Sequence, residues 1–132
     1  MSNEIVLIVE DEFAIAELLE MALTDGGYRV MTAANGRQGL ERMAQDPPPD
    51  LVISDFMMPV LDGAGFLHAM RETEAHRNIP CIIMSSVPEA SVRRHIEEYA
   101  GFLRKPFRLA DMVQLVQSVL LTERPAGCET PW

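Results

Sequence analysis

Leu51-Val52-Ile53-Ser54-Asp55-Phe56-Met57-Met58-Pro59-Val60-Leu61-Asp62-Gly63 is the stretch that decides the fold of this chain. An apolar run without polar interruption suits a strand covered by helices on both faces, as in a parallel sheet. The run Leu51 to Ser54 stops at a carboxylate, Asp55. Asp62 with Gly63 then signals a turn ahead of a helix bearing Phe66, Leu67 and Met70. Three other short runs obey the same rule: Ile5 to Val9 stops at Glu10 and Asp11, Cys81 to Met84 at Ser85, and Gly101 to Arg104 at Lys105. If these runs are parallel neighbours, their carboxyl ends share the sheet edge where open α/β sheets place their ligands.

Helical stretches alternate with the runs, which calls for βα units around one sheet. Ile15, Leu18, Leu19, Ala22 and Leu23 form the expected buried stripe of a first helix, ended by Gly26 and Gly27. Tyr28 to Ala33 mixes Arg29 and Thr32 with apolar residues and is expected at the sheet edge. Asn35 caps a second helix carrying Leu40 and Met43, and Pro47 to Pro49 form a spacer. Pro88 suits the first turn of a fourth helix bearing Val92, Ile96 and Tyr99. Leu109, Met112, Val113, Val116 and Leu120 mark a fifth. The expected organisation is one domain over residues 1–121, a five-stranded parallel α/β sheet with helices on both faces, followed by a tail or linker remnant over 122–132.

At 132 residues the chain has room for one core. Its formal charge of −9, from 20 acidic and 11 basic residues, opposes binding to nucleic acid or anionic lipid. The two cysteines, Cys81 and Cys128, lack metal or redox spacing, and Cys81 reads as a small buried hydrophobe. The amino terminus has no signal-peptide pattern and no run of about 18 apolar residues occurs, so a cytoplasmic location is expected.

Three carboxylates at neighbouring strand ends repel, each close pair by about 4 kcal/mol at 4 Å in an effective dielectric of 20. An oxygen-only cluster with room for water is what Mg²⁺, or Mn²⁺, prefers. Glu10, Asp11 and Asp55 sum to −3, which a divalent cation and Lys105 cancel. Lys105 is also the only lysine in the chain. Capping of a helix could explain one or two of the acids, though not Asp55 and Lys105 at matching ends of other strands. Met57 and Met58 are expected to pack rather than ligate, and His68, His76 and His95 lack metal-ligand spacing.

In their order and spacing, Val9-Glu10-Asp11-Glu12, Asp55-Phe56-Met57-Met58-Pro59 with Asp62-Gly63, Met84-Ser85-Ser86 and Lys105-Pro106-Phe107 resemble the receiver domain of two-component response regulators over residues 4 to 121. The resemblance implies a flavodoxin-like fold of strand order 2-1-3-4-5. It makes Asp55 the acceptor of a phosphoryl group from a histidine kinase or histidine phosphotransfer protein. Asp11 resembles the direct metal ligand, Glu10 the acid acting through water, and Met57 the residue whose backbone carbonyl completes the protein ligands. Lys105 and Ser85 are implied to act chiefly on the arriving phosphoryl oxygens, with Ser85 and Phe102 as switch residues and a typically cis Lys105-Pro106 bond.

The resemblance further implies a signalling switch that assists its own phosphorylation and dephosphorylation rather than a turnover enzyme. Its output would pass through the surface of the fourth helix, fifth strand and fifth helix to a downstream partner, an output domain or a second copy in a phosphorylation-dependent homodimer. Ser85 stands where threonine is commoner, Phe102 where many members have tyrosine, and Met57 and Val87 occupy positions that tune dephosphorylation. Three competing readings are a pseudo-receiver that binds partners without phosphorylation, an aspartate-nucleophile phosphatase, and a flavodoxin-like electron carrier. The phosphatase wants a second acid where this chain has Met57, and Glu10 to Glu12 would repel a flavin phosphate.

Overall fold

A computed structural model describes residues 4–122. The elements run β1 (Ile5–Val9), α1 (Phe13–Asp25), β2 (Arg29–Ala33), α2 (Gly36–Met43), β3 (Leu51–Asp55), α3 (Gly63–Glu72), β4 (Cys81–Ser85), α4 (Glu89–Arg93), β5 (Gly101–Arg104) and α5 (Leu109–Thr122). The strands form one parallel sheet in the order β2-β1-β3-β4-β5. The expected α/β architecture and strand order are therefore present, with β2 at the edge.

Alternation along each strand splits the core in two. Val6, Ile8, Ile53, Ile82, Met84 and Leu103 face α1 and α5, where Leu19, Leu23, Met112, Val116 and Val119 pack on them. Leu7, Val9, Val52, Cys81 and Ile83 face the other side, against Met43, Phe66, Leu67, Met70 and Val92. Burial of both faces is why β1, β3 and β4 are buried throughout and why their sequences are continuously apolar. Full burial of a side chain the size of Phe66 contributes about 1.5–3 kcal/mol.

Local chemistry sets the helix ends. Asn35 Oδ1 accepts from the Gln38 backbone N–H at 2.9 Å, and Gln38 Oε1 accepts from the Ala34 N–H at 2.9 Å. Asp62 Oδ1 accepts from the Gly65 N–H at 2.9 Å and so starts α3. Gly27, at φ 96°, makes the left-handed step from α1 toward β2 that a side chain would disfavour.

Several expectations need correction. Leu18 is 52% exposed, and the buried stripe of α1 is Ala16, Leu19 and Leu23 at i, i+3 and i+7. In α5 Leu109 is exposed and Val119 buried, and the helix runs to Thr122. Tyr28 is buried but precedes β2. The largest departure is α4, which stops at Arg93, so Ile96 and Tyr99 lie beyond it. Two side-chain bonds hold the chain off the helical path: the Arg71 guanidinium donates to the Glu98 carbonyl at 3.2 Å, and the Tyr99 hydroxyl donates to Glu89 Oε2 at 2.6 Å. Residues 123–132, most of the expected tail, lie outside the described residues.

Candidate functional site

The parallel register brings the ends of β1, β3, β4 and β5 to one edge, as the sequence pattern requires. Glu10 leaves β1 with its backbone N–H donating to the Ala33 carbonyl at 3.0 Å, which fixes it between β1 and β2. Asp55 is the last residue of β3, held from behind by α3: the Gly63 N–H donates to the Phe56 carbonyl at 2.8 Å. A methyl group on Gly63 would overlap the Asp55 carbonyl oxygen and crowd Phe56 Cα, so only glycine lets α3 press against the backbone beneath Asp55.

Glu10 and Asp55 are buried and Asp11 is exposed. Each of the three offers a carboxylate oxygen, and these oxygens all lie within 4.8 Å of one another. Lys105 closes the cluster from the position just after β5, with Nζ 2.6 Å from Asp55 Oδ1 and 3.2 Å from Glu10 Oε1. The other oxygen of Glu10 accepts from the Glu12 backbone N–H at 3.0 Å. Both Glu10 oxygens are thus engaged by the protein, while Asp11 faces solvent.

Burial raises the Asp55 pKa, and a hydrogen bond with Glu10 adds to it, so that despite Lys105 it is pushed up to about 8. Burial also works against the Glu10 charge, but the bonds from Asp55, the Glu12 N–H and Lys105 prevail and hold Glu10 below its ordinary value. Burial opposes the Lys105 charge as well, and its pairing with Asp55 and Glu10 keeps its pKa above the ordinary lysine value.

The remaining residues singled out from the sequence fall around this centre. Ser85 is buried at the end of β4, where its carbonyl accepts from the Lys105 N–H at 2.8 Å and its Oγ accepts from the Val87 N–H at 3.0 Å. Its hydrogen is left to donate elsewhere. Phe102 is half-buried on β5 opposite Ile83, its ring 6.3 Å from that of Tyr99. Lys105-Pro106 is cis. Met58 packs against the core as expected, whereas Met57 is 68% exposed, because the turn after β3 directs it outward. Lys105 is paired with both buried acids, in keeping with the charge balance read from the sequence.

The oxygen-only donor set and its close spacing fit a hard divalent cation. His68 lies 3.7 Å from Glu72, the His95 ring meets that of Phe56 at 5.8 Å with a 45° tilt, and among the described residues neither joins the clustered acids. Cys81 is fully buried, with its thiol pushed up to about 12 by burial. No described helix is long and apolar enough to cross a membrane. Sequence reading missed the meeting of Glu89, Arg93 and Tyr99 on the α4 side: Tyr99 read as part of a helical stripe, and no strand end or periodic stripe marks Glu89 or Arg93.

Known proteins are similar to this chain in sequence and fold. The family description "Response regulator receiver domain" matches residues 6–117. A probable chemotaxis protein CheY from Rhizobium etli is 38% identical over 117 residues, covering 86% of this chain and 90% of that protein. The sensor kinase CckA of Brucella abortus is also 38% identical, over 87% of this chain but only 12% of the kinase. The crystal structure of the receiver domain of a sensor histidine kinase from Pseudomonas aeruginosa PAO1, with a magnesium ion coordinated in its active site cleft, superposes with a TM-score of 0.80 at 27% identity. That match covers 90% of this chain and 98% of the receiver domain.

Proposed function

We propose that this chain, which belongs to the response regulator receiver domain family, is a switch whose Asp55 accepts a phosphoryl group from a phosphohistidine. Receiver domains of this family are two-component signalling switches. The observation that supports Asp55 most is its position: buried at the end of β3, with the Lys105 ammonium at 2.6 Å and two further carboxylates close by. Mg²⁺ or Mn²⁺ would be held directly by Asp11 and Asp55, through water by Glu10, and by the Met57 backbone carbonyl. When bound, the cation supplies positive charge that favours the ionised carboxylate and offsets charge in the transfer.

In the transfer, an ionised Asp55 oxygen attacks phosphorus in line, the phosphorus–nitrogen bond of the donor histidine breaks, and the departing imidazole nitrogen takes up a proton. Lys105, already aimed at Asp55, holds the nucleophile and then pairs with the new phosphoryl oxygens. Ser85 turns its unused hydroxyl hydrogen toward them, drawing the loop after β4 inward, and Phe102 follows. The altered α4–β5–α5 surface then meets a downstream protein, an output domain or a second copy. Later attack of water on the acyl phosphate, past Met57 and Val87, resets Asp55. With Met57 where a phosphatase needs a second acid, no steady turnover of small phosphate esters is expected.

Acetyl phosphate with Mg²⁺ should add one phosphoryl group, read by intact mass, and Asp55→Asn or removal of the metal with EDTA should abolish it. Folded wild-type protein that gains no mass under these conditions would overturn the reading.

A further inference from the structure

Tyr99, Glu89 and Arg93 close on one another across the gap between α4 and β5. The Tyr99 hydroxyl donates to Glu89 Oε2 at 2.6 Å, and Arg93 donates to the same oxygen at 3.2 Å. The Arg93 guanidinium carbon lies 5.2 Å from the centre of the Tyr99 ring. Burial and the bond to Glu89 push the Tyr99 phenol up to about 12, so it remains a donor throughout the neutral range.

Each partner of this clasp touches one half of the proposed switch. Glu89 opens α4 only four residues after Ser85, and the link between them is short and constrained: the Val87 N–H is tied to Ser85 Oγ, and Pro88 has a fixed φ of −61°. On the other side, the Tyr99 ring lies 6.3 Å from that of Phe102. Helix α4 has five residues and buries one, Val92, so it is too short to hold its own place by helix propensity. The Arg93 to Glu89 pair is more exposed and contributes little. The Tyr99 to Glu89 bond is the short, charge-assisted one.

We propose that Tyr99 is a positioning residue of the switch: through Glu89 it holds the start of α4, and the loop behind Ser85, in the unphosphorylated arrangement. The proposal rests on the receiver reading. Drawing Ser85 toward a phosphoryl group at Asp55 pulls on Glu89 and strains the clasp, and releasing Tyr99 frees the space beside Phe102. Phe102 has no hydroxyl, and Tyr99, three residues earlier, supplies one to the same surface. The clasp therefore opposes activation, and its strength sets how readily the site commits.

Beryllium fluoride with Mg²⁺, a stand-in for the phosphoryl group, tests this by titration of wild type, Tyr99→Phe, Glu89→Gln and the double variant. Tyr99→Phe and Glu89→Gln should each bind about three- to tenfold more tightly than wild type, the size expected for one partly exposed hydrogen bond to a charged group. The double variant should gain no more than either single one. Amide exchange over residues 89–93 should be raised in free Tyr99→Phe to the level that wild type reaches only when loaded. A bond with a merely structural role would lower the urea midpoint while leaving affinity unchanged or weaker, and that result overturns the proposal. Wild type that takes up neither beryllium fluoride nor a phosphoryl group sinks the receiver reading itself, whereas loading of wild type with unaffected variants sinks the clasp alone.

Discussion

Strand β3 ends in a site residue and β5 leads directly into one, Lys105, yet the two are built differently. All five residues of β3 are buried, whereas in β5 only Leu103 is. β3 lies between β1 and β4 and is covered by helices on both faces. β5 is an edge strand, flanked on one side by an α4 of five residues. Asp55 thus stands on the stiff half of the molecule, where a nucleophile needs a fixed position. Ser85 lies at the boundary, and Phe102, Tyr99 and Glu89 stand on the half where rearrangement costs little. Low local stability is a requirement for a segment that must move, and high local stability for one that must not.

Hydrogen exchange offers the widest gap. Amides of Ile53 and Ser54 should exchange at least about a thousandfold more slowly than those of residues 89–93, since the first open only with global unfolding and the second open locally. Equal protection would erase the distinction. Phe66→Ala, beneath the β3 side, should cost about 3–5 kcal/mol in urea unfolding, because it leaves a cavity in packed surroundings. A loss below about 1 kcal/mol would mean that this half relaxes as easily as the other.

The stiff half also stores an electrostatic cost that pH should reveal. Metal-free Asp55 keeps its proton up to about 8 when folded and releases it near 3.8 when unfolded. Between these values the folded state binds more protons, so this stabilising contribution is complete below about 4 and is lost as pH rises through about 8. Glu10, held below its ordinary 4.5, acts with the opposite sign and only under that value. Urea midpoints in EDTA should therefore fall from pH 5 to 8, and saturating Mg²⁺ should flatten the slope. A rising midpoint in EDTA would contradict the raised Asp55 pKa.

The smallest expected effect lies in the turn after β3, where Val60 sits at φ 72° and is 71% exposed. A β-branched residue is strained there and contributes little packing. Val60→Gly should raise stability by about 0.5–1 kcal/mol after glycine's entropy cost is counted. No gain would show that the turn is held by its surroundings rather than strained.

The stiff half was the legible one. Continuous apolar runs mark buried parallel strands, and parallel strands bring their carboxyl ends together, so Glu10, Asp55, Ser85 and Lys105 could be assembled from sequence alone. The α4 side resisted, because Val92, Ile96 and Tyr99 are spaced as a helix would space them, and bonds made by Arg71 and Tyr99 to distant partners override that spacing. Leu18 and Leu109 were misplaced because an apolar residue beside a buried stripe carries the same pattern as one within it. The pairing of Lys105 with both acids and the raised pKa of Asp55 depend on side-chain distances and burial, which no one-dimensional pattern encodes.

Lys105 has one further consequence, and it is practical. The chain contains no other lysine, and this ammonium is 2.6 Å from Asp55 and largely shielded from solvent. An amine-selective acylating reagent therefore has a single side-chain target, whose reactivity depends on what the ammonium is pairing with. Labelling rate, counted by whole-protein mass, becomes a native footprint of the site, readable in a mixture and without any engineered probe.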